Sequence, residues 1–194
     1  KPFFITVGIH KPHVPFIAPQ KYFNLYPKNR LQFELNPVND WNDIPKMAMV
    51  KRFSGFGFEL GKENDPLRRE YTQAYHACVS FVDAQIGLIL DKLKEQIRWD
   101  DTIGIFTSAH GYHLGERVMW SKVTLFEECA RVPVVVRVPG VSNPGTRSEG
   151  LVETIDLFPT LAELCKLVAP AHLQGGSYAG LIREPSGEGK PSAY

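Results

Sequence analysis

Thr102-Ile103-Gly104-Ile105-Phe106-Thr107-Ser108-Ala109-His110-Gly111-Tyr112-His113-Leu114-Gly115-Glu116 is the stretch that decides the fold. The apolar run 102–106 predicts a buried strand. Small and polar residues at 107–111 end it and place a histidine in the loop behind it. In open α/β folds, loops at the carboxyl ends of strands are where ligands bind. Upstream, residues 66–96 predict a long helix. Asp65 suits the N-cap and Pro66 the first helical position. Leu67, Tyr71, Ala74, Cys78, Val82, Ile86, Ile89, Leu90 and Leu93 recur at spacings of three and four, and Arg68, Arg69, Glu70 and Lys92 mark the polar face. Trp99-Asp100-Asp101 then turns the chain into the strand. Helix, short loop, apolar strand is the pattern of an α/β fold.

Further strands are expected at 3–9 and 132–138, and a short amphipathic helix at 156–165 with Pro159 in its first turn. Residues 17–64 carry Pro19, Pro27, Pro37 and Pro45 with interleaved aromatics, and read as an irregular excursion with short helical turns. Within it, Phe53-Ser54-Gly55-Phe56-Gly57-Phe58 is expected to cap the core. The chain opens without Met directly on a strand-like run, so it reads as part of something longer.

The totals narrow the classes. In 194 residues, 43% are hydrophobic and 22% charged, and the formal net charge is +1. Nothing here argues for nucleic acid or a membrane surface held by bulk charge. No apolar run reaches the length of a membrane span. Cys78, Cys129 and Cys165 make no C-x-x-C pair, and an odd count excludes complete pairing within the chain. Cys78 and Cys165 fall on apolar helical faces, where a small buried hydrophobe is the expected role.

Three polar clusters adjoin strand ends: His10-Lys11-Pro12-His13, His110-Gly111-Tyr112-His113 and Trp120-Ser121-Lys122. Pro12 and Pro15 fix φ and stiffen the first loop. A neutral imidazole binds a metal or donates to an anion, and a lysine holds an anionic oxygen as a point charge. Convergence of these groups at one sheet edge would make a sulfate or phosphate site. Dispersed, they would be ordinary solvated loop residues.

The words around those residues go further. Phe106 to Glu116, Trp120-Ser121-Lys122-Val123-Thr124-Leu125-Phe126-Glu127, Arg131-Val132-Pro133, Lys1-Pro2-Phe3-Phe4 through Lys11-Pro12-His13-Val14-Pro15-Phe16, and Asp156-Leu157-Phe158-Pro159-Thr160-Leu161 resemble the type I sulfatases. Within them the likeness is to the iduronate-2-sulfatase branch and its bacterial relatives. The resemblance implies an alkaline-phosphatase-like α/β fold with a mainly parallel sheet flanked by helices. Residues 1–194 would be the carboxyl-side part of the catalytic domain. It also implies sulfate-ester hydrolysis by a formylglycine nucleophile with one calcium ion, on a sulfated sugar or glycosaminoglycan. Carried over, Lys122 grips the sulfate and His13 donates to a sulfate or leaving-group oxygen. His110 belongs to the metal site, and Lys11, His113 and Trp120 face substrate. His113 and His10 match the family pattern less closely, so an ordinary loop role stays open for both. By the same resemblance the protein would be exported, periplasmic or lysosomal, and would need the rest of its chain.

The departures are specific. The family word Ser-Asp-His-Gly is here Ser108-Ala109-His110-Gly111, so a methyl stands where a calcium ligand is expected. Gly115-Glu116-Arg117 replaces Gly-Glu-His. No Cys/Ser-x-Pro-x-Arg word occurs, and the paired amino-terminal aspartates are missing. The chain alone is therefore expected to be inert. A relative that binds anionic glycans or a partner without catalysis is the rival reading, and a phosphodiesterase or phosphonate hydrolase on the same scaffold is a third.

Overall fold

A computed structural model describes residues 1–32, 37, 39–48, 66–141 and 144–193. The expected N-cap at Asp65 and the stretch Phe53–Phe58 lie outside the described residues. The chain divides into two compact units, Lys1–Trp99 with Thr107–Val134, and Asp100–Phe106 with Val135–Tyr194.

The first unit is built on one long helix. Helix α1 (Gln20–Phe23) and a 3-10 turn at Lys28–Arg30 lie against α2 (Pro66–Glu95). Polar groups on α2 secure the irregular backbone beside it. Gln73 Nε2 donates to the carbonyls of Phe23 (3.3 Å) and Tyr26 (2.7 Å). Arg69 donates to Lys28 O and Leu31 O, and the Tyr26 and Ser80 hydroxyls meet at 2.6 Å. Loop carbonyls thus gain partners from side chains where no ladder supplies them. Helix α2 closes with Arg98 N donating to Leu93 O and Ile97 N to Lys94 O, around a left-handed Ile97 at φ 53°. This is a Schellman ending that normally takes glycine.

The expected helix is present, but its faces differ from the reading in two ways. Arg68, assigned to the polar face, is 4% exposed, and its guanidinium lies 5.5 Å over the Trp120 ring. Stacking on an indole keeps a buried guanidinium favourable. At the other end, Ile89 and Leu90 of the expected apolar stripe are exposed, because the described residues bring nothing against them.

Strand β1 (Gly104–Thr107) pairs with β4 (Val134–Arg137), while β2 (His113–Leu114) and β3 (Trp120–Ser121) form a separate antiparallel ribbon. A four-residue helix, α3 (Glu127–Ala130), follows β3. The strand expected at 3–9 is not formed: residues 1–10 are exposed and without regular structure, with Phe4 80% and Ile5 71% exposed. An extended segment is stable only beside neighbouring strands, and the described residues offer it none. For the same reason β1 is not the buried strand expected, since Phe106 is 45% exposed.

In the second unit, α4 (Leu157–Leu164) and α5 (Ala179–Arg183) pack around buried Thr160, Ala162, Tyr178 and Ala179. Buried Asp156 organises the entry to α4. Its carboxylate accepts from the amides of Glu153 (2.9 Å) and Gly176 (2.8 Å) and pairs with Lys190 at 2.7 Å. Burial alone would raise the Asp156 carboxyl, but the Lys190 bond and the two amides outweigh it and hold it below its ordinary range. Cys78 is buried as expected; Cys165 is exposed, because α4 ends at Leu164 and the chain turns out through a left-handed Lys166.

Candidate functional site

All the candidate site residues lie in the first unit. The loop after β1 is pinned from behind. Gly111 N donates to Cys129 O (2.8 Å) and Tyr112 N to Glu128 O (2.6 Å), which anchors the loop to α3. A Cβ at Gly111 would stand 2.1 Å from Glu128 O, so only glycine permits this approach. The pinned loop exposes Ala109 and His110 at its tip.

His110 and Lys122 are brought together, with Lys122 Nζ 2.8 Å from His110 Nε2. His110 Nδ1 lies 2.7 Å from Gly111 O. A carbonyl can only accept, so Nδ1 carries the proton and Nε2 accepts from the ammonium. The turn bearing Lys122 has left-handed backbone on both sides, at Ser121 (φ 78°) and Val123 (φ 79°). A β-branched residue there is an outlier, and such backbone persists only where the surroundings impose it.

His10 and His13 form a second pair, with ring centroids 4.8 Å apart. His13 Nδ1 donates to Val14 O at 2.9 Å, which leaves Nε2 as the atom for an incoming oxygen. Lys11, expected to face substrate, turns back onto the carbonyls of Pro15 and His13 and secures its own loop. An aromatic cluster joins the two loops. Phe16 stands edge-on to Tyr71, Tyr75 and Tyr112, and Tyr75 stacks on Tyr112 at 5.3 Å.

His113 and Trp120, expected on the substrate side, are placed in the core instead. His113 is 0% exposed and Trp120 8%. Strand alternation is the reason: two residues past the pinned Gly111, His113 pairs with Ser121 and points inward. Its Nε2 meets Thr124 Oγ1 at 2.8 Å, and the ring stands edge-on to Phe126. Trp120 is held between Tyr71 and Arg68.

Two residues not singled out as site candidates support the turn. Arg117 (φ 52°) reaches Glu128 at 2.7 Å and Asp40 at 3.7 Å, tying the β2–β3 connection to α3. Glu116 accepts from Leu114 N at 2.7 Å. Burial alone would raise both glutamates. The His113 ring and local amides for Glu116, and Arg117 for Glu128, bring them below their ordinary range.

Four further groups in this unit are silenced. Burial, then the Tyr112 hydroxyl, pushes the Tyr71 phenol far up, and burial also raises Tyr75 and Tyr112. Burial raises the Cys78 thiol against the opposing charge of Lys11. None of these is ionised near neutrality, so none is a ready nucleophile. The donors around His110 also do not fit calcium. A hard cation needs several oxygen ligands. Here a methyl stands at 109, an ammonium occupies His110 Nε2, and the described residues contain no group of three or more His, Cys, Asp or Glu placed to hold a metal. What the corner can do is offer positive charge and N–H bonds to an anion.

Comparison with known proteins bears on the family. The Sulfatase family model matches residues 1–167. The chain is 33% identical to iduronate 2-sulfatase of Mus musculus over 87% of its own length and 37% of that protein's. It is 34% identical to choline-sulfatase of Rhizobium meliloti over 84% of its length and 31% of that protein's. Among solved structures it is similar to a phosphonate monoester hydrolase from Silicibacter pomeroyi, with TM-score 0.75 at 25% identity, covering 91% of this chain and 36% of that one. It is also similar to a protein solved with its substrate D-glucosamine-2-N,6-O-disulfate, with TM-score 0.60 at 30% identity, covering 64% of this chain and 25% of that one. The chain thus spans about a third of the length of the curated relatives it matches. With the family pattern running from the first residue through α4, and with the α/β fold of its structural neighbours, the chain belongs to the sulfatase family.

Proposed function

We propose that the protein carrying this chain hydrolyses a sulfate ester on a sugar, and that residues 1–194 supply the sulfate-binding side of its catalytic domain. The observation that carries the reading is the Lys122–His110 contact at the tip of the β1 loop. An ammonium with one N–H on an imidazole has two more for sulfate oxygens. Such charge-assisted bonds are about twice as strong as neutral ones. His13, with its Nδ1–H held by Val14 O, would donate to the leaving oxygen through Nε2 as the imidazolium, the form that carries N–H on both ring nitrogens. Lys122 would stabilise charge developing on the sulfate as the ester bond breaks.

The family resemblance implies a formylglycine nucleophile and calcium. No Cys/Ser-x-Pro-x-Arg word occurs in the sequence and the described residues around His110 do not fit calcium by themselves, so in this reading the nucleophile and most of the calcium ligands would come from other parts of the protein. A sulfated glycosaminoglycan as substrate and an exported or lysosomal location are part of the same proposal. The substrate of the glucosamine-disulfate relative supports a sugar ester. The phosphonate monoester hydrolase relative favours a second reading, in which the ester is a phosphonate or phosphodiester.

The test is turnover of an aryl sulfate and of an aryl phosphonate by the longest natural protein containing this sequence, with Lys122→Met as comparison. Preferred sulfate turnover, lost with Lys122, supports the reading. Preferred phosphonate turnover selects the second. No turnover with retained sulfate binding selects a non-catalytic glycan-binding relative.

A further inference from the structure

We propose that buried His113 is a positioning residue that sets Lys122 in its anion-binding place by holding Thr124. This rests on the sulfate-site reading only for what Lys122 binds, not for how it is held. Lys122 sits in a turn whose flanking residues, Ser121 and Val123, are both at positive φ. Such a turn relaxes unless something fixes its two ends. The near end is fixed by the ladder, where Ser121 pairs with His113 and its carbonyl lies 3.7 Å from Cys129 Sγ. The far end is fixed by one side-chain bond, His113 Nε2 to Thr124 Oγ1 at 2.8 Å.

The same residue therefore grips both ends of the turn, through its backbone at Ser121 and its ring at Thr124. The ring is itself enclosed, and Nε2 is its hydrogen-bonded nitrogen, since buried Nδ1 has no hydrogen-bond partner among the described residues. The ring is fully buried, edge-on to Phe126 at 6.1 Å, with Nδ1 3.8 Å from the Glu116 carboxylate that caps Leu114 N. A histidine two strand positions from the exposed His110 loop thus acts on Lys122 from below, without meeting the anion.

Thr124→Val removes the hydroxyl at a half-buried position and keeps the shape, so it tests the bond without opening the core. Thr124→Ser keeps the hydroxyl and is the rescue variant. The readout is the 15N resonance of His110 Nε2, with Lys122→Met giving the value for an Nε2 that has no ammonium donor. Inorganic sulfate is then titrated against each protein. In Thr124→Val the Nε2 signal should move to the Lys122→Met value before sulfate is added, and sulfate affinity should fall about tenfold, the scale of one charge-assisted hydrogen bond. Thr124→Ser should match wild type in both. An unmoved Nε2 signal in Thr124→Val overturns the proposal, as does a Thr124→Ser variant that behaves like Thr124→Val. If the Nε2 signal moves as stated but wild type does not respond to sulfate, the positioning role stands and the sulfate reading falls.

Discussion

Replacing Gly111 by alanine tests how firmly the site is built into the fold. The new Cβ would lie 2.1 Å from Glu128 O, 2.9 Å from its carbonyl carbon and 3.2 Å from Cys129 Cα. These are backbone atoms, which no rotamer change can move aside. The loop must retreat from α3, and the bonds Gly111 N to Cys129 O and Tyr112 N to Glu128 O break together. At roughly 1 kcal/mol net per bond, their loss costs about 2 kcal/mol, and a stranded buried carbonyl adds about 1 kcal/mol or more. Gly111→Ala should therefore destabilise by about 3 kcal/mol, read as a lower urea midpoint. Because the loop carries His110, the Lys122 contact should loosen as well. Gly87 is the matched control. It lies inside α2 with no atom within 4 Å of a Cβ, so Gly87→Ala should stabilise by about 0.5–1 kcal/mol. A Gly111→Ala protein within about 0.5 kcal/mol of wild type, the usual range for a surface change, would refute the reasoning.

Other expectations follow from the same contacts. Ile97 is 89% exposed at φ 53°, so Ile97→Gly should raise the thermal midpoint by relieving about 1 kcal/mol of left-handed strain; a lowered midpoint would contradict the Schellman assignment. Glu116, Glu128 and Asp156 are all held below their ordinary pKa values. Their stabilising share is complete above the unfolded carboxylate range and is lost as pH falls through the lower folded values, so urea midpoints should be flat near neutrality and drop below about pH 4. Midpoints that rise on acidification would reverse that sign. Ala109→Asp, made in the complete protein, should increase calcium affinity, since affinity follows ligand charge; unchanged calorimetric binding would remove position 109 from the metal side.

Much of the molecule could be read from residue order. Helix α2 announced itself through Pro66 and its apolar spacing, and the strand–loop–histidine word placed His110 at a strand end, where the structure has it. What failed was burial. Phe4, Phe106 and Leu90 read as interior because their runs are apolar, yet interior position depends on neighbours that the described residues do not supply. At the candidate site, the family word singled out Lys122, which the structure places beside His110, but the direction of His113 was not legible. That ring's inward turn follows from a two-residue ribbon, too short to leave an alternating pattern, and Lys11's retreat follows from backbone carbonyls that no side-chain pattern reports.

The central claim is that the His110–Lys122 corner binds sulfate. Calorimetric titration of inorganic sulfate into the wild-type chain and into Lys122→Met tests it most directly. The account predicts saturable binding by the wild type, weakened at least tenfold when the ammonium is removed, as expected for a lost charge-assisted bond. Identical isotherms for the two proteins, or no saturable sulfate binding by the wild type, would contradict it.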